Sequence, residues 1–333
     1  MRFLLDDEQR AFARSLDALL TAADTPSVVR AWADGDHSPG RALWSRLAEA
    51  GVFALAVPEQ YDGLGPLPVE LAVAFTELGR HAAPGPLVET AAAATLLNQL
   101  GAAEAAGAWL PGIASGKAAV TLSIPSLDAP FALDADAADA VLVVDGDELR
   151  LAESHGPLQR STDPARRLAR PQAGTVIARG PRVRAAAAHA TDIAMLTTAA
   201  QALGVGRALL AGTVEHVTQR AQFGVPLGSF QAVKHRLADT LIALEFAEPL
   251  VHAAALTLGA PSGNHTDLAA AKLTACEAAH TAARTALQLH GALGYTDELP
   301  LSLWIRKAGA LRSAWGTPAY CRARVLTHQG ADA

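Results

Sequence analysis

The stretch Arg220-Ala-Gln-Phe-Gly-Val-Pro-Leu-Gly-Ser-Phe-Gln-Ala-Val-Lys234 decides how the rest of the chain reads. Two long apolar segments meet at it, separated by two glycines, a proline and an arginine. Gly228-Ser229 ahead of Phe230 reads as a helix start, with Ser229 placed to cap the free N–H groups of the next turn. A guanidinium beside exposed helix N–H groups suits a phosphate or pyrophosphate, because charge and helix dipole both favour an anion. The plainer reading is a solvated arginine at a helix turn, and the surrounding chain decides between them.

On the C-terminal side the pattern predicts a long helix from 229 to about 257, which Pro249 should kink. Another is expected over 265–291, after Pro261-Ser-Gly-Asn264, with shorter ones at 300–313 and 317–328. On the N-terminal side, residues 189–219 carry Ala199, Ala200, Gly204, Gly206 and Gly212, the small residues of a tightly packed face. These lengths predict an antiparallel four-helix bundle over 184–333. The character changes over 117–183, where Ala119–Ile124, Ala140–Val144, Leu149–Leu151 and Gly174–Ala178 are β-rich and Asp145-Gly146 signals a hairpin. A reduced β domain of five or six strands is expected there. Helical spacing over 4–22, 41–51, 68–81, 87–100 and 103–115 makes 1–116 an all-α domain. The fold class is therefore mainly α, with a small β domain between two helical ones.

Composition narrows the functions. Half of the 333 residues are apolar, 18% are charged and the formal charge is −6, which argues against a nucleic-acid partner. The first residues lack a signal-peptide pattern, and alanine-rich runs such as 185–190 and 252–256 are too short to span a bilayer. Cys276 and Cys321 make neither a disulfide framework nor a zinc set. No metal site and a cytoplasmic location are expected. His216, His235, His252, His265, His280 and His290 are scattered over helices and mostly read as core or surface residues.

Several local patterns, in this order, resemble the acyl-CoA dehydrogenase family. Gly51…Val57-Pro58-Glu59…Gly63-Leu64-Gly65, then Glu70 and Glu77-Leu78-Gly79-Arg80, looks like its N-terminal signature. Asp163-Pro-Ala-Arg-Arg-Leu168 is similar to a segment of its β domain. Arg220-Ala-Gln-Phe-Gly224 with Gln231 is similar to its flavin-contact loop, and Gln288-Leu-His-Gly-Ala-Leu-Gly-Tyr-Thr296 to its second cofactor motif, followed by Arg306…Arg312. The resemblance spans nearly the whole chain. It implies a dimer, or dimer of dimers, with FAD at the subunit interface, held partly by one subunit's β domain and partly by its neighbour's bundle. Arg220, Gln222, Phe223, Leu227, Gln231, Gln288 and Gly291 match the positions that reach the neighbour's cofactor, and His290 lies inside the second motif. The chemistry suits them: a guanidinium for pyrophosphate, amides for polar edges, and apolar contacts for rings.

The family's reaction needs a carboxylate base over the α-carbon of an acyl-CoA thioester. The residue matching its usual position, before Gly316-Thr317, is Trp315; the alternative position on the first bundle helix is Ala194. Neither can abstract a proton. Asp192 is nearby, but two residues along a helix point it about 200° away. The β domain also lacks much of the family's flavin-holding segment, having only Thr121-Leu-Ser-Ile-Pro-Ser-Leu-Asp128 and a contracted stretch. The resemblance thus implies no catalytic residue of this chain's own. It implies instead the depleted subunit of an α2β2 steroid-type dehydrogenase, whose homologous partner carries the glutamate and whose electron acceptor is an electron-transferring flavoprotein. Alternatives are a self-sufficient homomeric flavoprotein with an unorthodox base, and a helical scaffold without catalysis. Trp315 is then core packing, or a plug where substrate would enter.

Overall fold

The computed structural model describes residues 4–125, 127, 130–259 and 265–329. The Pro261–Asn264 helix start, part of the Thr121–Asp128 segment and the side chain of His265 lie outside the described residues. Six helices come first: α1 (Asp7–Thr21), α2 (Thr25–Asp34), α3 (Ser38–Glu49), α4 (Pro68–Arg80), α5 (Leu87–Leu100) and α6 (Ala103–Ala114). The first opens on a capping box, with the Asp6 carboxylate accepting from the Gln9 N–H and the Gln9 side chain accepting from the Asp6 N–H. Four of the expected helices match closely. The α2 helix lies in a stretch read without an element, and it buries Val28, Val29 and Trp32.

Among its described residues the middle stretch holds eight short strands rather than five or six: β1 (Val120–Ser123), β2 (Ala132–Leu133), β3 (Ala140–Asp145), β4 (Glu148–Leu151), β5 (Ser154–His155), β6 (Leu168–Ala169), β7 (Pro171–Gln172) and β8 (Thr175–Arg179). One sheet runs β1-β3-β4-β8, with β1 parallel to β3 and the other pairs antiparallel. Two-residue pairs β2–β6 and β5–β7 form separate two-stranded sheets beside it. The expected hairpin joins β3 to β4 one residue later than read, because Asp145 pairs with Glu148 and leaves Gly146-Asp147 at the turn. Trp32 Nε1 donates to the buried Asp134 carboxylate at 3.2 Å, tying α2 to this sheet region.

The remaining helices are α7 (Pro181–Gln219), α8 (Gln231–Leu258), α9 (His265–His290), α10 (Ser302–Leu311) and α11 (Pro318–Gln329). A short hairpin, β9 (Ala221–Gln222) and β10 (Val225–Pro226), links α7 to α8. The α8 helix runs through Pro249, as the expected span to about 257 requires. The α7 helix, 39 residues long, is the axis of the molecule and packs on α4, α5, α8, α9 and α10. Its small residues allow this approach. A Cβ on Gly204 would lie 1.9 Å from the Thr76 carbonyl oxygen, and one on Gly79 2.0 Å from that of Gln201, so the backbones of α4 and α7 touch.

By length and composition α7 and α8 could each cross a membrane, which the short alanine runs did not suggest. The apolar window of α7 is 83% buried inside the protein, so it is a core helix. That of α8 is only 28% buried; Leu244, Ala247 and Val251 face inward, while Leu241, Ile242, Phe246 and Leu250 face out.

Candidate cofactor-contact site

The α7 helix ends at Gln219, and Arg220 turns extended as its N–H bonds the His216 carbonyl at 2.8 Å. The chain then folds back at once, with Gln222 opposite Val225 and the Leu227 N–H on the Arg220 carbonyl at 2.8 Å. Two residues, Phe223 and Gly224, make the turn with φ of +55° and +81°. Two positive φ values in a two-residue hairpin define a type I′ turn, which glycine adopts freely and phenylalanine only with strain. The Phe223 ring projects into solvent, 91% exposed, edge-on to Phe230 with centroids 6.4 Å apart.

Ser229 does not cap α8 as expected. Phe230 is the residue that precedes the helix, and the Ser229 hydroxyl donates back to the Pro226 carbonyl at 2.7 Å. The first turn of α8 therefore keeps its N–H groups free of a side-chain cap. Arg220, Gln222 and Gln231 are all exposed, and among the described residues their side chains have no hydrogen-bond or ion-pair partner. Leu227 is half-buried.

Gln288 and Gly291 sit elsewhere, in a cleft of about 770 Å³ between α8 and α9. The structure thus separates the seven expected contact residues into a hairpin group of five and a cleft group of two. The groups are neighbours: Ala232, next to Gln231, lines the cleft, and the rings of His216 and His290 stack at 4.1 Å. His290 is buried with Nδ1 against the Ala286 carbonyl, so it supports the end of α9. Burial holds the His216 imidazole below its ordinary pKa, with His290 as a second cause.

The cleft adds residues that sequence reading passed over. Arg236 and Arg284 line it from opposite helices, and among the described residues neither guanidinium is paired. Asp239 is the cleft's one acidic lining residue, so cationic groups outnumber it. A signal existed: Arg284 stands four residues before Gln288, on one face of α9, and His235 four after Gln231. Exposed donors, two unpaired guanidiniums and a glycine with open space about it fit the polar edges and phosphates of a dinucleotide. A third cluster, Asp17, Glu77 and His81, brings possible metal ligands together. Arg80 already lies 3.0 Å from Glu77 and 3.7 Å from Asp17, which makes it an ion-pair cluster.

Ala194 and Trp315 are both buried. Trp315 adopts φ of +54° before Gly316, and its indole Nε1 donates to Glu89 Oε1 at 3.1 Å. Glu89 is a buried carboxylate whose pKa burial raises, and the Arg166 charge opposes that shift. Its signal was the one charged residue of an alanine- and leucine-rich helix, in Leu-Val-Glu-Thr-Ala-Ala-Ala-Ala. Lys272, 1% exposed, pins the same turn by donating to the Arg312 carbonyl at 3.1 Å and to that of Gly316. Asp192 is buried and ion-paired with Arg324 of α11, which removes it as a base.

This architecture, helices around a small sheet followed by a bundle, with a hairpin between the first two bundle helices, defines a class. Residues 6–117 match the acyl-CoA dehydrogenase N-terminal domain and residues 184–329 the acyl-CoA dehydrogenase C-terminal domain, so the chain belongs to the acyl-CoA dehydrogenase family. Among particular relatives, it is 35% identical to acyl-CoA dehydrogenase IpdE2 of Mycobacterium tuberculosis over 304 residues, covering 90% of this chain and 91% of that protein. Its fold matches the steroid ACAD Tcur3481-Tcur3483 with a TM-score of 0.85 and 26% identity, over 98% of this chain and 99% of the other. The ChsE4-ChsE5 complex of Mycobacterium tuberculosis shares the fold, with a TM-score of 0.85 and 24% identity over 100% of each chain. Relatives of this fold are solved with FAD or FADH2.

Proposed function

We propose that this chain is the base-lacking subunit of a heteromeric, FAD-dependent acyl-CoA dehydrogenase, and that it completes the cofactor site of a homologous partner. One observation carries the reading. Both family base positions are buried and non-basic, at Ala194 and Trp315, while Arg220, Gln222 and Gln231 stand exposed without partners among the described residues. The outward face of α8, with Leu241, Ile242, Phe246 and Leu250, is the apolar surface a partner would cover. Relatives described as a two-component steroid ACAD and as a complex support the assembly.

In this assembly Arg220 offers its guanidinium to the pyrophosphate, and the amides of Gln222, Gln231 and Gln288 hydrogen-bond polar edges of FAD. Phe223 and Leu227 give apolar contact, and Gly291 lets the backbone approach. FAD supplies the hydride acceptor for α,β-dehydrogenation. The partner's glutamate removes the α-proton, which no residue at Trp315 or Ala194 can do. The substrate class is an acyl-CoA thioester with a steroid-derived acyl group, the acceptor an electron-transferring flavoprotein, and the assembly α2β2. Both cysteines are buried and neither forms a disulfide, which suits the cytoplasmic setting we propose.

Purification with and without the partner tests the reading. The chain alone should be colourless and inactive, with flavin absorption and acyl-CoA oxidation appearing on co-expression with a complete homologous dehydrogenase. Stoichiometric FAD and activity in the isolated chain would overturn it.

A further inference from the structure

Two imidazoles meet where the hairpin adjoins the cleft. His216 lies half-buried on the last turn of α7, and His290 is the buried last residue of α9. Their rings stack with centroids 4.1 Å apart and planes 24° from parallel. We propose that this stack is a proton-controlled latch: uncharged, it holds the root of the Arg220 hairpin against the end of α9, and acid opens it and releases the hairpin. The consequence for a partner's cofactor rests on the function proposed above; the latch itself does not.

The stack joins the two groups of contact residues. The His216 carbonyl accepts the Arg220 N–H at 2.8 Å, and the Arg220 carbonyl accepts the Leu227 N–H at 2.8 Å, so the backbone bonds that close the hairpin start at His216. On the other side, the His290 Nδ1–H donates to the Ala286 carbonyl at 2.8 Å, which fixes the ring. Gly291 follows at φ +61° and lines the cleft. Parting the two rings therefore moves the root of the hairpin away from the end of α9.

Protons on this pair are poorly accommodated. With Nδ1 donating, the basic lone pair of His290 lies on Nε2, and among the described residues neither that atom nor the His216 ring has a hydrogen-bond partner. A second imidazolium would stack directly on the first, and like charges disfavour it. No carboxylate among the described residues pairs with either ring: Glu215 of α7 holds the Gln219 amide, and Asp297, beyond the Gly291 turn, is paired with Arg306. Arg220 stands at the hairpin root, and the adjoining cleft brings His235, Arg236 and Arg284 against Asp239 alone. Burial, then His290, then Arg220 hold the His216 imidazole below its ordinary pKa of 6.5. A base whose pKa is depressed in the closed form supports that form fully above the ordinary value, and the support is lost as pH falls below it. The latch is therefore closed at neutral pH and weakens in acid.

Hydrogen–deuterium exchange of the full chain, without partner or flavin, tests the latch from about pH 7.5 to about pH 5.5, each rate being divided by the intrinsic rate at that pH. The Arg220 and Leu227 amides should open more often below the ordinary histidine value, by up to about tenfold per pH unit, the limit for one proton taken up on opening. Amides of residues 199–203 in the buried middle of α7 should keep constant protection. His216→Phe retains a flat ring that cannot titrate, and it should hold the hairpin closed across the range. His290→Asn can still donate to the Ala286 carbonyl but has no ring to stack, so its hairpin should be as open at neutral pH as that of wild type in acid. Hairpin protection in wild type that does not change with pH, or a pH dependence that survives His216→Phe, would overturn the proposal. The proposed function fails on a different result, flavin and activity in the isolated chain.

Discussion

The Arg220 hairpin and the Trp315 turn both follow a bundle helix, yet they are built in opposite ways. The hairpin and the start of α8 expose a phenylalanine at a strained φ, an arginine and two glutamines, and among the described residues the arginine and glutamine side chains have no hydrogen-bond or ion-pair partner. The Trp315 turn is buried and pinned, by its indole to Glu89 and by Lys272 on the Arg312 and Gly316 carbonyls. In the proposed reading, the hydrogen-bonded Trp315 indole stands where the family places its base, and it serves packing. The proposed role as a base-lacking subunit rests on these two features together.

Breaking the buried side of this contrast should have the largest effect. Gly204→Val would drive a side chain into the Thr76 carbonyl, where α4 and α7 touch. It should cost at least about 3 kcal/mol, read as loss of the cooperative unfolding transition or of soluble protein. The outward side breaks differently. Phe246→Asp, at a ring 71% exposed in the chain, should leave the unfolding midpoint unchanged and weaken assembly with the partner about 100-fold, read by sedimentation. An unchanged complex would remove the α8 face from the interface.

A smaller effect separates the buried acids. Asp134 is enclosed, with burial raising its pKa to about 8 from the ordinary 3.8. An acid whose folded pKa is raised favours folding fully below the ordinary value, and that contribution declines as pH rises towards about 8. Asp134→Asn keeps an acceptor for Trp32 and does not titrate, so its thermal midpoint relative to wild type should climb from pH 5 to pH 8. A constant difference across that range would mean the group stays ionised. The smallest effect is at Ser229. Because its hydroxyl bonds Pro226 rather than capping α8, Ser229→Ala should cost less than about 0.5 kcal/mol, against about 1 kcal/mol for a true cap.

Much of this fold could be read in the residues. The α5 helix begins and ends where its apolar spacing said, and the small residues of α7 marked its close crossing with α4. Other features left no local trace. The α2 helix begins after Asp24 in the left-handed region, with no side-chain cap to announce it. Strands β2, β5, β6 and β7 are two residues long, too short for alternation to show. Ser229 misled because capping depends on which way the hydroxyl turns, and it turns back to the loop. The exposed apolar stripe of α8 was hidden by apolar residues on its inner face as well. Arg236 and Arg284 were passed over because a cleft between two helices brings together residues far apart in the chain.

The most direct measurement is the flavin content of the purified heteromer carrying Arg220→Ala in this chain alone. A charge-assisted contact to pyrophosphate is worth about 1.5–3 kcal/mol, so FAD retention should fall at least about tenfold, with the complex and this chain's unfolding midpoint intact. Unchanged flavin in an intact complex would show that the hairpin only joins two helices.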